Sequence, residues 1–263
     1  MVPSLKLYCR LAVSTSTTNY TVPCRECTNT HHKARSEGTL FGWCKQDGHW
    51  CSCLGLESLH AAINGLLPPD IQVREISPAR PEFHARFSTK SKIYHYKIYN
   101  GTIMDPFHRL YAYHSVHKLS PHAMREAAAY FVGKHDFSSF ANASHNDGSP
   151  NPVKEIFRFD ITELDAVLQL EIEGTGFLYR QVRNMVALLL QIGREALPPD
   201  IVPKIIAARD RRELAKVALS APPHGLCLMS VNYNQEVLEP PEGFPPVSFG
   251  RSHHVSKCKL LFY

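Results

Sequence analysis

The sequence has little of what would place it at once. No apolar run approaches the ~18 residues of a membrane-spanning helix; the longest extends from Met185 to Leu190. No fixed-period repeat is present, which excludes a solenoid or propeller array. Residues 1–20 lack the continuous apolar core of a secretory leader, and with it the setting in which a disulfide framework is expected. Their richness in Ser and Thr and their lack of acidic residues are those of a transit peptide. Nineteen scattered prolines exclude a coiled coil. What is there is ordinary globular protein: 263 residues, 44% apolar and 20% charged. That is enough for a sizeable core and too apolar for a disordered tail. The net charge of +5, with 15 histidines uncounted, leans toward an anionic partner such as nucleic acid.

Cysteine is unevenly spread. Six of eight lie in the first 53 residues: Cys9, Cys24, Cys27, Cys44, Cys51 and Cys53. A zinc site would draw on Cys24, Cys27 and Cys44 with His31, His32 or His49. The second close pair, Cys51 and Cys53, is too tight and too late for a zinc ribbon, so no metal is expected.

Residues 1–53 show neither helical nor strand period. From Leu54 the texture changes. Glu57 to Leu67 has helical spacing and stops at Pro68-Pro69. Ile71 to Ile76 alternates as a strand, and Phe83 to Phe87 and Ile93 to Tyr99 alternate again, as two strands flanking Ser88 to Lys92. Ser120 caps a helix over Pro121 to Val132. Val153 to Glu163 and Ala166 to Glu173 read as a hairpin. Phe177 to Arg194 and Ile201 to Ala208 read as helices, and Leu226 to Tyr233 as a late strand. After Asn234 the chain is proline-rich and ends in a basic tail. Strands and helices in this order give an α+β fold with mixed or antiparallel sheets.

Three clusters carry chemistry. In Phe83–Phe87 and Ile93–Lys97, Arg86, Lys92 and Lys97 accompany His84, Tyr94 and Tyr96. Rings stack on unpaired bases and cations hold phosphates; alternation in an ordinary sheet fits the same residues. In Gly174–Met185 a glycine-flanked strand end feeds a helix whose first turns carry Arg180 and Arg183. A helix N-terminus is already positive, so an anion is expected nearby; a surface arginine pair is the alternative. Gly133–Phe140 is a loop whose two phenylalanines serve the core.

Together these pieces resemble the TruA-type tRNA pseudouridine synthases. AINGLLPPDIQV, FHARFSTKSKIYHYKIYN, GKHDFSSF, NPVKEI, GTGFLYRQVRNMV and GLCLMSVNY occur in the family's order between Ser58 and Tyr233. The resemblance implies two similar α/β halves around a basic cleft, the N-terminal one incomplete here. It implies isomerisation of uridine to pseudouridine in the tRNA anticodon arm, without a cofactor, in an intracellular setting (cytoplasm, nucleus or organelle). It makes tRNA the partner, with no membrane, and a homodimer the expected assembly. Tyr94 matches the tyrosine that stacks on the base and serves C5 deprotonation. Arg183 matches the arginine that pairs with the catalytic aspartate and keeps it ionised. Arg86, Lys92, Lys97 and Arg180 would contact RNA. The expected division is 1–57 foreign to the family and disordered or poorly packed, 58–104 the remnant of the N-terminal half, 105–235 the C-terminal half, and 236–263 a linker and tail.

The family's aspartate motif, Arg-Thr-Asp-x-Gly-Val-His-Ala, is absent upstream of Ser58. Asp47, in Lys45-Gln46-Asp47-Gly48-His49, is the nearest stand-in, and an Asp-Gly pair is by default a turn. The activity of this chain is therefore expected to be impaired, with a non-catalytic RNA-binding protein as the alternative. The codons compatible with Trp43 to Cys53, read one base later, permit Gly-Ala-Ser-Arg-Thr-Asp-Thr-Gly-Val-His-Ala, the missing motif in full. Both glycines forced by tryptophan codons fall where the motif has glycine. The segment ending near Leu56 is thus read as out of frame, with the frame restored near Glu57. Sequencing the transcript across codons 43–57 checks this. The expected result is nucleotides that encode the motif in the shifted frame; any incompatible codon removes the idea.

Overall fold

The computed structural model describes residues 6–11, 45–46, 49–50, 56–68, 71–79, 83–142, 151–239 and 248. The chain forms two compact units, Met1–Ser88 with Asn234–Tyr263, and Thr89–Tyr233. Most of the N-terminal segment, including Asp47 and the stretch 24–44, lies outside the described residues.

In the first unit, β1 (Lys6–Leu11) pairs antiparallel with a later strand, and β2 (Lys45–Gln46) pairs with β3 (His49–Trp50). Helix α1 (Leu56–Leu66) runs into Pro68 and is followed by β4 (Val73–Ala79), the partner of β1. The strand expected from Ile71 starts two residues later because the Ile71 N–H closes a turn onto the Pro68 carbonyl. Two side chains fasten α1 to β4. Asn64 pairs with both backbone groups of Val73, donating to its carbonyl at 2.9 Å and accepting from its N–H at 2.7 Å. Buried His60 donates from Nε2 to the Val73 carbonyl at 2.7 Å, which leaves Nδ1 to accept from the Ser248 hydroxyl at 3.1 Å.

The second unit is built on β5 (Thr89–Tyr99), which already includes Thr89–Lys92, where a break between two strands is expected. Phe83–Phe87 forms a turn instead of a strand. The His84 ring nitrogen Nδ1 accepts from the N–H groups of Arg86 and Phe87, and the Ser88 N–H bonds the His84 carbonyl. After β5 come β6 (Tyr113–His114), α2 (Pro121–Ala129), β7 (Gly133–Asp136), β8 (Val153–Leu164), β9 (Val167–Gly174), α3 (Gln181–Gly193), α4 (Ile201–Ala208), α5 (Arg211–Val217) and β10 (Leu226–Tyr233). The chain re-enters the first unit at α6 (Gln235–Leu238).

The sheet order is β10-β5-β9-β8-β7, antiparallel throughout, while β6 adds a short parallel pairing to β5. β10 and β6 therefore share one edge of β5, and β9 takes the other. The result is an α+β fold with a mixed sheet. Strand alternation sends Tyr96 and Ile98, Leu168, Leu170 and Ile172, and Phe159 and Ile161 into one core. α3 closes that core: Val182, Met185, Val186, Leu188, Leu189 and Ile192 are all buried. α2 packs on α3 with Met124, Ala127 and Ala128. Leu188 is 0% exposed. Leu188→Ala is expected to destabilise the unit by about 2–5 kcal/mol through lost transfer energy and the cavity left behind. Urea unfolding followed by circular dichroism measures it.

Candidate active site

The end of β9 and the start of α3 form one device. Gly174 closes β9; a Cβ there would lie 2.7 Å from the Glu155 carbonyl oxygen, so only glycine fits. The next residues turn rather than begin a helix. Arg180 takes a left-handed backbone, φ 62°, and α3 starts at Gln181, four residues after the expected start at Phe177. The freed Phe177 ring meets the Tyr94 ring edge-on at 5.2 Å. Gln181 reaches back to accept the Leu178 N–H at 2.8 Å, satisfying a donor ahead of the helix.

Arg183 lies in the first turn of α3. Its Nε donates to the Ala221 carbonyl at 2.6 Å, and its own carbonyl accepts the Ala221 N–H at 3.2 Å. The neighbouring Pro222 carbonyl takes the Tyr96 hydroxyl at 2.9 Å. The 221–222 segment is thus gripped by α3 and by β5, and it leads through Gly225 into β10. A Cβ on Gly225 would sit 2.8 Å from the Tyr96 ring. Burial and then the nearby Arg180 charge weaken the hold of the Arg183 guanidinium on its proton. Among the described residues its only hydrogen-bond partner is neutral, so the place is suited to an anion. Arg180 stacks over the half-exposed Tyr179 ring at 5.2 Å.

Tyr94 pairs across to Ile172 on β9 and Leu228 on β10. Burial pushes its hydroxyl pKa up, so the group is neutral at physiological pH. Lys92 and Tyr94 share a face of β5; Lys97 lies on the other. Arg86 belongs to the 83–88 turn of the first unit. Asp47 is outside the described residues. The structure thus places Tyr94, Lys92, Lys97, Arg180 and Arg183 in one unit, gives the Tyr96 hydroxyl a structural partner in Pro222, and adds a member without a sequence signal, the Ala221 carbonyl. Asn184 is another: 4% exposed, it donates to the Phe140 carbonyl at 2.6 Å and to Asn142 Oδ1 at 3.1 Å. No group of three or more His, Cys, Asp or Glu among the described residues is placed to hold a metal.

A family model described as tRNA pseudouridine synthase matches residues 127–234, which include β9, α3, the 221–222 clamp and β10. The chain is 40% identical over 189 residues to tRNA pseudouridine synthase A 1 of Protochlamydia amoebophila, covering 72% of this chain and 73% of that protein. The chain belongs to the tRNA pseudouridine synthase family. Similar family members include tRNA pseudouridine synthase A of Pseudothermotoga lettingae, 40% identical over 67% of this chain and 71% of that one. The A 1 protein of Bacillus cereus strain ATCC 14579 is 38% identical over 66% and 68%.

On the sheet face opposite the helices, a charged network ties four strands of this family unit. Arg158 on β8 bonds Glu171 and Glu173 on β9 and Asp160 beside it. His95 on β5 bonds Glu171 at 2.7 Å, and Ser91 joins Glu173 to Asn232 on β10. Hydrogen bonding from Arg158, aided by Ser91, holds the Glu173 carboxyl below its ordinary value near 4.5, against its partial burial. A depressed folded-state pKa contributes stability that is complete above the unfolded value and lost as pH falls through the folded one. The urea midpoint is expected to drop on acidification below about pH 4.5, and Glu173→Gln is expected to flatten that acid limb. An unchanged limb in the variant refutes the assignment.

Proposed function

We propose that this synthase-family chain acts on tRNA, isomerising uridine to pseudouridine in the anticodon arm as a homodimer, and that the protein as written is impaired. The observation that carries the reading is the half-buried Arg183, clamped through Nε to a neutral carbonyl at the positive end of α3. That environment holds a carboxylate ionised while it attacks or stabilises charge at the breaking uracil–ribose bond. Tyr94, held edge-on by Phe177, offers the ring for stacking on a flipped uracil. Its hydroxyl, neutral because burial raises its pKa, would take the C5 proton only as its own proton leaves. Arg86, Lys92, Lys97 and Arg180 are the proposed phosphate contacts. No helix among the described residues is long and apolar enough to cross a membrane.

The Arg-Thr-Asp motif supplies the nucleophile in the family and is missing here, with only Asp47 in its stead. Loss of a nucleophile removes several orders of magnitude of rate. The test is tritium release from tRNA carrying C5-labelled uridine. The chain as written is expected to release tritium far more slowly than the same chain with the shifted-frame motif restored. In that restored chain, Arg183→Ala is expected to lower release strongly with little change in fold. Binding of tRNA is expected to weaken steeply with salt, as phosphate contacts require. Full release without the motif contradicts the impairment. Binding without any release selects the second reading, a non-catalytic tRNA-binding protein.

A further inference from the structure

A cavity of about 370 Å³ is walled by α3, by the end of α5 with the segment after it, and by Tyr113 of β6. Ala221 and Pro222 line it, so it shares that segment with the Arg183 clamp, but Arg183 itself is not in its wall. The wall has two chemistries. Leu190, Val217, Leu219 and Pro222 give it apolar surface. Tyr113, Gln191, Arg194, Lys216 and Ser220 give it polar groups, and no carboxylate lines it.

Two of those polar groups are anomalous. Arg194 Nε and Ser220 Oγ are buried atoms with no hydrogen-bond partner among the described residues, and no other buried side-chain nitrogen or oxygen there is left in that state. An unmade hydrogen bond at a buried donor is costly, and more so at a charged one. The backbone on either side is fixed. The Arg194 N–H bonds the Leu190 carbonyl, and Ala221, next to Ser220, gives its N–H to the Arg183 carbonyl. The ordinary reason for an arginine at this place falls short. A helix C-terminus favours a cation that bonds its last carbonyls. Arg194 directly follows α3, yet its Nε donates to none of them. The other cation in the wall, Lys216, is paired with Glu213 at 2.6 Å.

Buried charges are paired. A guanidinium edge and a hydroxyl with no opposing carboxylate fit an oxyanion, and the apolar remainder of the wall fits a nonpolar body behind it. The volume lies in the lower range of ligand pockets and has room for about a dozen water-sized groups. A phosphate within a polynucleotide brings sugars and further charges on both sides, which this apolar wall does not match. We propose that the cavity binds a small organic anion. Its carboxylate or phosphate head is held by Arg194 Nε and Ser220 Oγ, and its compact apolar body lies against Leu190, Val217 and Leu219. The site is separate from the anion place at Arg183 and does not depend on the tRNA reading.

Calorimetric titration of the full chain with benzoate and with phenyl phosphate tests this, with uncharged benzamide as the control of matching shape. At least one of the anions is expected to bind one-to-one at low-millimolar or tighter affinity, and benzamide about 10-fold or more weaker. Arg194→Met and Ser220→Ala are each expected to weaken the anion, the first by about 10-fold or more. The melting temperature separates binding from support of the helix end. Arg194→Met removes a donor that has no partner, so the ligand-free variant is expected to melt no lower than the wild type and to lose the rise that the anion gives the wild type. A variant that melts lower and still binds the anion assigns Arg194 to the helix end and overturns the inference. Failure of both anions to bind overturns it too, as does equal binding of benzamide or an affinity that both variants leave unchanged. Competitive displacement of the bound anion by tRNA also overturns it, by assigning the cavity to the RNA surface.

Discussion

The paired hydrogen bonds between Arg183 and Ala221 govern the second unit. One backbone segment gives its N–H to the first turn of α3 and takes the Arg183 Nε in return. The adjacent carbonyl takes the Tyr96 hydroxyl from inside the sheet. These contacts join the helix that closes the core, the strand β5 and the entry to β10. They also fix the guanidinium by its inner nitrogen and leave its outer edge oriented. A guanidinium held by Nε to a carbonyl cannot swing to a surface carboxylate without breaking that partly buried bond. Positioning of the charge and stability of the fold are therefore one interaction.

The sheet carries this arrangement by dividing its two faces between different chemistries. The helix side is apolar, with Leu170, Ile172 and Tyr96 fully buried. The other side is the Arg158, Glu171, Glu173, His95 and Ser91 network, which crosses β8, β9, β5 and β10. Several linked partners around one guanidinium hold strand register better than isolated surface pairs do. Tyr94 and Lys92 thus stand on a strand that is fixed from both faces.

Much of this was readable from the residues. The helix over Ile201–Ala208 and the strand over Leu226–Tyr233 begin and end where their apolar patterns do. The hairpin Val153–Gly174 differs by a residue at its turn. The misreadings have local causes. Phe83–Phe87 alternates like a strand, but the His84 ring gathers two N–H groups that a strand would give to a neighbour. Phe177 and Leu178 continue the apolar period of α3, but the left-handed Arg180 interrupts the backbone ahead of it. β7 has the sequence of a loop, because Gly-Lys-His-Asp has no apolar alternation. α5 leaves no apolar period in the sequence because Leu214 is its one buried residue. At the site the arginines carried a signal, charge of the wrong sign at a helix start. The Ala221 carbonyl had none, because every residue has one.

Tyr94 and Tyr96 occupy alternate positions on β5, with His95 between them and Lys97 after. The register with β9 is unbroken from Lys92 to Tyr99. Inserting or deleting one residue in that span would exchange the two faces of everything beyond it. Lys97 would enter the core now filled by Tyr96 and Ile98, while the ring that anchors Pro222 would turn to the charged side. A change of length in β5 therefore disturbs more than any single substitution there, because it moves every side chain beyond it to the wrong face at once.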